Sequence, residues 1–280
     1  MLTAGLYWPL DFRRGEKRPL VIQTHGFDAN RFSPDGFSTT GYAAQPLAAS
    51  GMFVVQAHHC VERCDTGKRQ NLREGERIVE SWQSLIDHLE ALGFIDRSRI
   101  GLQGYSRSCF HQLYFLTHSS DPIAAMMCAD GVDFSYLQYL TFGPGNPGLI
   151  AEYQAHNGGA PFGPDLKTWM EQAPGFNLDR IKTPSRFVAL TEGSSLIEEW
   201  EPFAGLLLQG KPTELFYIPG ASHNIIRPWD RIASQQGSVD WFRFWLQGFE
   251  RSEPITEAQE TQRDVANQYT LWRKLRTKAR

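Results

Sequence analysis

Short β-branched runs alternate with longer amphipathic stretches over the first two thirds of the chain, the pattern of a parallel sheet covered by helices on both faces. The apolar runs predict strands over 18–25, 52–58, 99–105, 123–128, 186–191 and 213–219, each passing into a polar or Gly-containing loop. Between the second and third of these, Ile78, Trp82, Leu85, Ile86 and Leu89 recur at three- and four-residue intervals within 72–92 and form one apolar stripe on a crossover helix. Its other face carries Arg73, Glu74, Glu76, Arg77, Glu80 and Glu90 and reads as solvated. Residues 133–180 break the rhythm with Gly143-Pro-Gly, Asn146-Pro-Gly, Gly158-Gly-Ala-Pro and Gly163-Pro, too much Gly and Pro for regular elements. The aromatics scattered there favour a packed cover over one face. A closing amphipathic helix is expected over 239–246, which bounds one domain at 1–250, and 251–280 reads as a polar appendage with a basic end.

Composition narrows the function classes. With 280 residues and 41% hydrophobic positions the chain can fill a large core, and 28 Lys+Arg against 31 Asp+Glu leave a net charge of −3 with no long like-charge block, which argues against nucleic acid as a ligand. No apolar run approaches the ~18–20 residues that span a bilayer, so no membrane association is expected. The N-terminus lacks the features of a secretory signal, and the expected compartment is the cytoplasm, or the periplasm if the chain is part of a longer one. Four cysteines are too few for a disulfide scaffold. His58-His59-Cys60 and Cys64 have the residue types of a zinc site but lack a second distant pair, so they read as loop cysteines open to pairing, and neither metal nor organic cofactor is expected.

The strongest chemical signal is Gly104-Tyr-Ser106-Arg-Ser108, placed between a predicted strand and a predicted helix. A nucleophile elbow needs small residues around its serine because the turn is tight, and Ser108 stands where the last glycine is usual. A serine hydroxyl needs a neighbouring imidazole to accept its proton, and on this scaffold the chain order is serine, acid, histidine. His223, in Gly220-Ala-Ser-His223 after the last strand, fits that order. Glu192, first after the strand 186–191, is the expected acid, with Glu198, Glu199, Asp130 and Asp133 as alternatives. The backbone N–H of Arg107 is the expected first oxyanion donor, and the second is sought on the loop after Thr24-His25-Gly-Phe.

His25-Gly-Phe after a strand, the elbow at Ser106, the run 210–220 leading into His223, and Asp240-Trp-Phe-Arg-Phe-Trp together resemble the catalytic domain of the prolyl oligopeptidase family of serine peptidases over about residues 5–250. Residues 71–82, 106–110 and 129–139 are similar to the branch that includes lasso-peptide isopeptidases, which cleave the side-chain amide closing a threaded ring. The resemblance implies an α/β-hydrolase, with a mostly parallel central sheet, helices on both faces and a Gly/Pro-rich insertion after the sixth strand. It implies a tyrosine hydroxyl as second oxyanion donor, for which Tyr42 is the matching position. It further implies a peptide or small acyl substrate and a β-propeller ahead of the hydrolase domain; since the chain begins almost at the hydrolase strands, a separate propeller or a homo-oligomer is the expected partner. The rival readings are an esterase or thioesterase of the same fold and an inactive hydrolase domain that acts as a binding module.

Overall fold

The computed structural model describes residues 4–24, 42–57, 72–190, 194–251 and 259–279, with the side chains of 194–195 and 259–265 excepted. Seven strands form one sheet in the order β1-β3-β2-β4-β5-β6-β7: β1 (Ala4–Tyr7), β2 (Arg18–Thr24), β3 (Phe53–Ala57), β4 (Ile95–Tyr105), β5 (Ala125–Ala129), β6 (Ser185–Ala189) and β7 (Thr213–Tyr217). Only β1 runs antiparallel, on the edge against β3; every other pair is parallel. β1 is absent from the sequence reading because four half-buried residues carry little periodic signal. The chain adds β3 on one side of β2 and then β4 on the other, and loops at the carboxyl ends of strands beside such a reversal form a crevice.

Alternate side chains divide the core between the two faces of the sheet. Leu20, Ile22, Phe53, Val55, Ile100 and Leu102 pack under the crossover helix α2 (Glu74–Ala91) and α3 (Ser108–His118), while Val21, Val54, Met127 and Val188 face α1 (Ala44–Ala49) and α8 (Pro228–Phe242). α2 buries Ile78, Trp82, Ile86 and Leu89 as its stripe requires. Glu74, expected on the solvated face, is instead buried. It lies four residues before Ile78 and therefore on the buried stripe.

The insertion follows β5, the fifth strand of the described sheet rather than the sixth. Its Gly and Pro residues punctuate three short helices, α4 (Tyr136–Phe142), α5 (Pro147–Asn157) and α6 (Leu166–Gln172), where irregular structure was expected. Asn146 caps α5 through its side chain with Pro147 in the first turn, and Gly158 ends it at φ 78°. Phe110, Tyr114, Phe134, Tyr153, Trp169 and Ala173 make a separate small core under this cover.

The C-terminal segment differs most from expectation. After α7 (Ser194–Leu208) and α8, a π-helical turn over 243–247 leads to α9 (Gln259–Lys278), which is no appendage: Tyr269, Trp272 and Leu275 are buried in the main core. Trp272 Nε1 donates to Glu214 Oε2 at 2.7 Å, and Glu214 is ion-paired with the equally buried Arg186 across the β6–β7 register. A mostly polar helix was legible only as polar, because the three buried side chains among its described residues 266–278 leave its mean pattern hydrophilic. Trp272→Ala should cost about 3–5 kcal/mol of unfolding free energy in urea titration; a loss below about 1 kcal/mol would mean that α9 does not dock.

Candidate active site

The turn from β4 to α3 places Ser106 at φ 53°, in the left-handed region that L side chains avoid. What holds it there is a set of short bonds. Ser106 N–H donates to Ala129 O, and Ser106 O accepts from both Cys109 N–H and Val132 N–H, each at 3.0 Å. Ser108 does more than substitute for glycine, since its hydroxyl accepts from Tyr105 N–H at 2.9 Å and donates to Tyr105 O at 2.7 Å, closing the turn. Gly104 cannot carry a side chain: a Cβ there would lie 2.6 Å from Gln112 Cδ. Ser106 itself is partly exposed.

Three non-glycine residues adopt positive φ among the described residues: Ser106, Asp130 (50°) and Phe134 (55°). All three lie in the elbow or in the loop after β5, and such strain, roughly 1–3 kcal/mol per residue, gathers where geometry serves function. Asp130 is buried and hydrogen-bonded with Nδ1 of His223, whose side chain is 45% exposed. The carboxyl ends of β4, β5 and β7 thus bring Ser106, Asp130 and His223 to the same edge of the sheet. Tyr105 braces the histidine loop, with its ring stacked on His223 at 4.6 Å between centroids and its hydroxyl donating to His223 O at 2.6 Å. Burial and the Asp130 charge push the Tyr105 phenol up, which keeps it a donor.

Of the expected acids, Glu192 lies outside the described residues, as do the His25 loop and the His58–Cys64 cluster. Asp133 accepts from Ser135 N–H at 3.0 Å, a turn role, and burial beside Glu201 pushes its carboxyl well above the usual range. Glu199 is buried behind the Asp130 loop, where its Oε1 accepts from Gly131 N–H at 2.8 Å, and burial again raises it. Glu198 is half-buried; burial and the Asp130 charge push it up to about 7, against the opposing pull of His223.

The two oxyanion candidates fare differently. Arg107 N–H has no backbone acceptor among the described residues. Its peptide carbonyl, Ser106 O, takes its two donors from the opposite side, so the N–H of this trans peptide points away from them. Tyr42 is buried under the elbow, with its hydroxyl donating to Thr24 O at 2.6 Å and 3.4 Å from Ser108 Oγ. A proton given to Thr24 is not available to an oxyanion in this arrangement.

Sequence reasoning missed the bracing by Tyr105 and the pairing of cysteines. Cys109 and Cys128 form a disulfide that staples the first turn of α3 to β5, directly under the elbow and the Asp130 loop. Gly131 lies so close to it that a Cβ would come 2.5 Å from Cys128 Sγ. Cys128 ends the predicted strand 123–128 and Cys109 lies in the predicted helix after the elbow, and no local pattern in either pairs them.

No protein-family model matches the chain. It is homologous to the lasso peptide isopeptidase AtxE2 of Asticcacaulis excentricus, with 28% identity over 98% of this chain and 38% of the relative. The solved apo structure of AtxE2 isopeptidase superposes with a TM-score of 0.81 at 26% identity, covering 99% of this chain and 41% of that one. The Pyrococcus horikoshii acylaminoacyl peptidase shares the fold, with a TM-score of 0.67 at 20% identity over 91% of this chain and 41% of that one. The chain therefore has an α/β-hydrolase fold like that of prolyl oligopeptidase-family peptidases, and spans about two fifths of the length of the relatives it matches.

Glu198 supplies a pH test. Its ordinary value of 4.5 is raised to about 7 by folding, so the folded state binds more protons between those limits and stability falls as pH rises through them. The melting temperature of Glu198→Gln should equal that of wild type near pH 4, exceed it progressively from pH 4.5 to 7, and keep the full difference above pH 7. A difference independent of pH would contradict the raised carboxyl.

Proposed function

We propose that the chain is the catalytic unit of a serine hydrolase that cleaves peptide or isopeptide amide bonds through an acyl-enzyme on Ser106. The observation that carries this reading is the strained serine of the elbow, held at the same sheet edge as an Asp–His pair. Ser106 Oγ attacks the carbonyl as His223 takes its proton; His223 then returns the proton to the leaving amine, and water repeats the sequence to release the acyl group. A carboxylate on Nδ1 fixes the tautomer and stabilises the imidazolium. Asp130 lies on Nδ1 here, and Glu192 is the acid expected from its place first after the strand 186–191. Arg107 N–H is the first oxyanion donor, and Tyr42 can become the second only by releasing Thr24 O.

The isopeptidase homologue supports a peptide substrate, and a solved structure of AtxE2 with Astexin3-dC4 bound superposes with a TM-score of 0.77 at 26% identity. No helix among the described residues is long and apolar enough to cross a membrane. The Cys109–Cys128 disulfide fits an oxidising compartment such as the periplasm better than the cytoplasm.

Fluorophosphonate labelling tests the reading. Wild type should label, Ser106→Ala should not, and His223→Ala should label at least about 10³-fold more slowly. A comparable loss in Asp130→Asn with Glu192→Gln near wild type assigns the acid to Asp130, and the reverse assigns it to Glu192. A folded wild type that does not label would overturn the hydrolase reading and favour a binding module.

A further inference from the structure

Glu74 is a buried carboxylate that the chemistry above does not use, yet it is bonded to the residue beside the nucleophile. At the first turn of α2, its Oε2 accepts from Arg107 Nη2 at 2.9 Å and lies 3.0 Å from His156 Nε2, while Oε1 lies 2.8 Å from His111 Nε2. Burial alone would raise this carboxyl, but the hydrogen bonds with His111 and His156 and the Arg107 charge hold it far below the usual range. It is a fixed negative charge, also favoured by the positive end of the α2 dipole. The side chain of Arg107 is further enclosed by Glu152 at 3.4 Å from Nε and by the ring of Phe134, 5.7 Å from Cζ. Phe134 stacks on His156 at 4.0 Å. Four parts of the molecule therefore meet on this carboxylate, the crossover helix that carries it, the elbow through Arg107, α3 through His111 and the insertion helix α5 through His156, with Phe134 of the loop after β5 packed on Arg107 and His156.

The position of Arg107 gives the cluster its consequence. The peptide joining Ser106 to Arg107 is held at its carbonyl end by Cys109 N–H and Val132 N–H. Its other end is the Arg107 N–H; beyond it, Arg107 O accepts from Phe110 N–H at 3.2 Å at the start of α3, and the grip on the Arg107 side chain is the hold that comes from outside the turn. A guanidinium held by a buried carboxylate at Nη2 and by Glu152 at Nε is a stiff tether, and oxyanion stabilisation depends on donors fixed before charge develops.

We propose that Glu74 is a positioning residue: by clamping the Arg107 side chain it fixes the Arg107 amide as oxyanion donor and ties that geometry to the packing of the insertion through His156. The proposal rests on the serine-hydrolase reading and extends it to a residue about which the elbow motif says nothing. It concerns transition-state geometry and not substrate affinity, so its effect falls on kcat rather than KM. Arg107 variants retain the backbone N–H itself, so any loss they show comes from the tether.

Hydrolysis of a 4-nitrophenyl ester and inhibition by benzeneboronic acid, which forms a tetrahedral adduct on the serine, read this out in the full chain. Glu74→Gln should lower kcat by about 10- to 100-fold with KM within about twofold, and weaken boronate inhibition in parallel. Arg107→Met should do the same, Arg107→Lys should recover part of the loss, and the double variant should lose no more than either single one. If Glu74→Gln does not fold, Arg107→Met and Arg107→Lys carry the test alone, because Arg107 is partly exposed. Folded variants with wild-type kcat, or losses that multiply in the double variant, would overturn the proposal while Ser106→Ala still abolishes turnover. A wild type that neither hydrolyses the ester nor labels with fluorophosphonate overturns the hydrolase reading and this proposal together.

Discussion

A left-handed serine is the constraint on which the rest of the site depends. At φ 53° Ser106 pays a local conformational cost, and the turn persists because its backbone is bonded on one side to the end of β5 and on the other to the loop that follows it. Ser106 N–H reaches Ala129 O, and Val132 N–H returns to Ser106 O, so the elbow serine and the strained Asp130 lie within one continuous hydrogen-bonded unit. Moving either would disrupt the other. The disulfide between Cys109 and Cys128 ties the same two segments covalently from below, and Gly131 admits it because no side chain fits there.

Around that unit the protein arranges its buried carboxyls. Asp130 faces His223 on one side, and on the other the buried carboxyls of Asp133 and Glu199 are raised by desolvation, which lowers the density of negative charge behind the pair. Glu74 does the opposite on the far side of the elbow, where two histidines and an arginine keep it ionised. Buried carboxyls of nearly equal exposure thus take different protonation tendencies, set by whether cations or other acids face them. Tyr105 joins the two halves by stacking on His223 from within the elbow motif itself.

Much of this was legible in the chain. The six parallel strands follow from β-branched runs, α2 from its stripe, and Ser106 and His223 from chain order and strand context. What escaped did so for physical reasons. Asp130 was weighed as an alternative acid, but a pairing across 93 residues depends on loop conformation, which local pattern does not encode. Glu74 was assigned to solvent from its charge, although its spacing of four from Ile78 put it on the buried stripe. The three buried residues of α9 are diluted by its polar face, and Trp272 reads as surface until Glu214 is seen to accept its N–H.

The central claim, that the strained Ser106 is a covalent nucleophile, is tested most directly by trapping the acyl-enzyme. Rapid acid quench of the full chain during turnover of an activated peptide ester, followed by digestion and mass spectrometry, should place one acyl increment on the peptide that contains Ser106, and His223→Ala should show slower formation of the same adduct. Turnover without any adduct, or an acyl increment that maps to a different residue, would contradict the account.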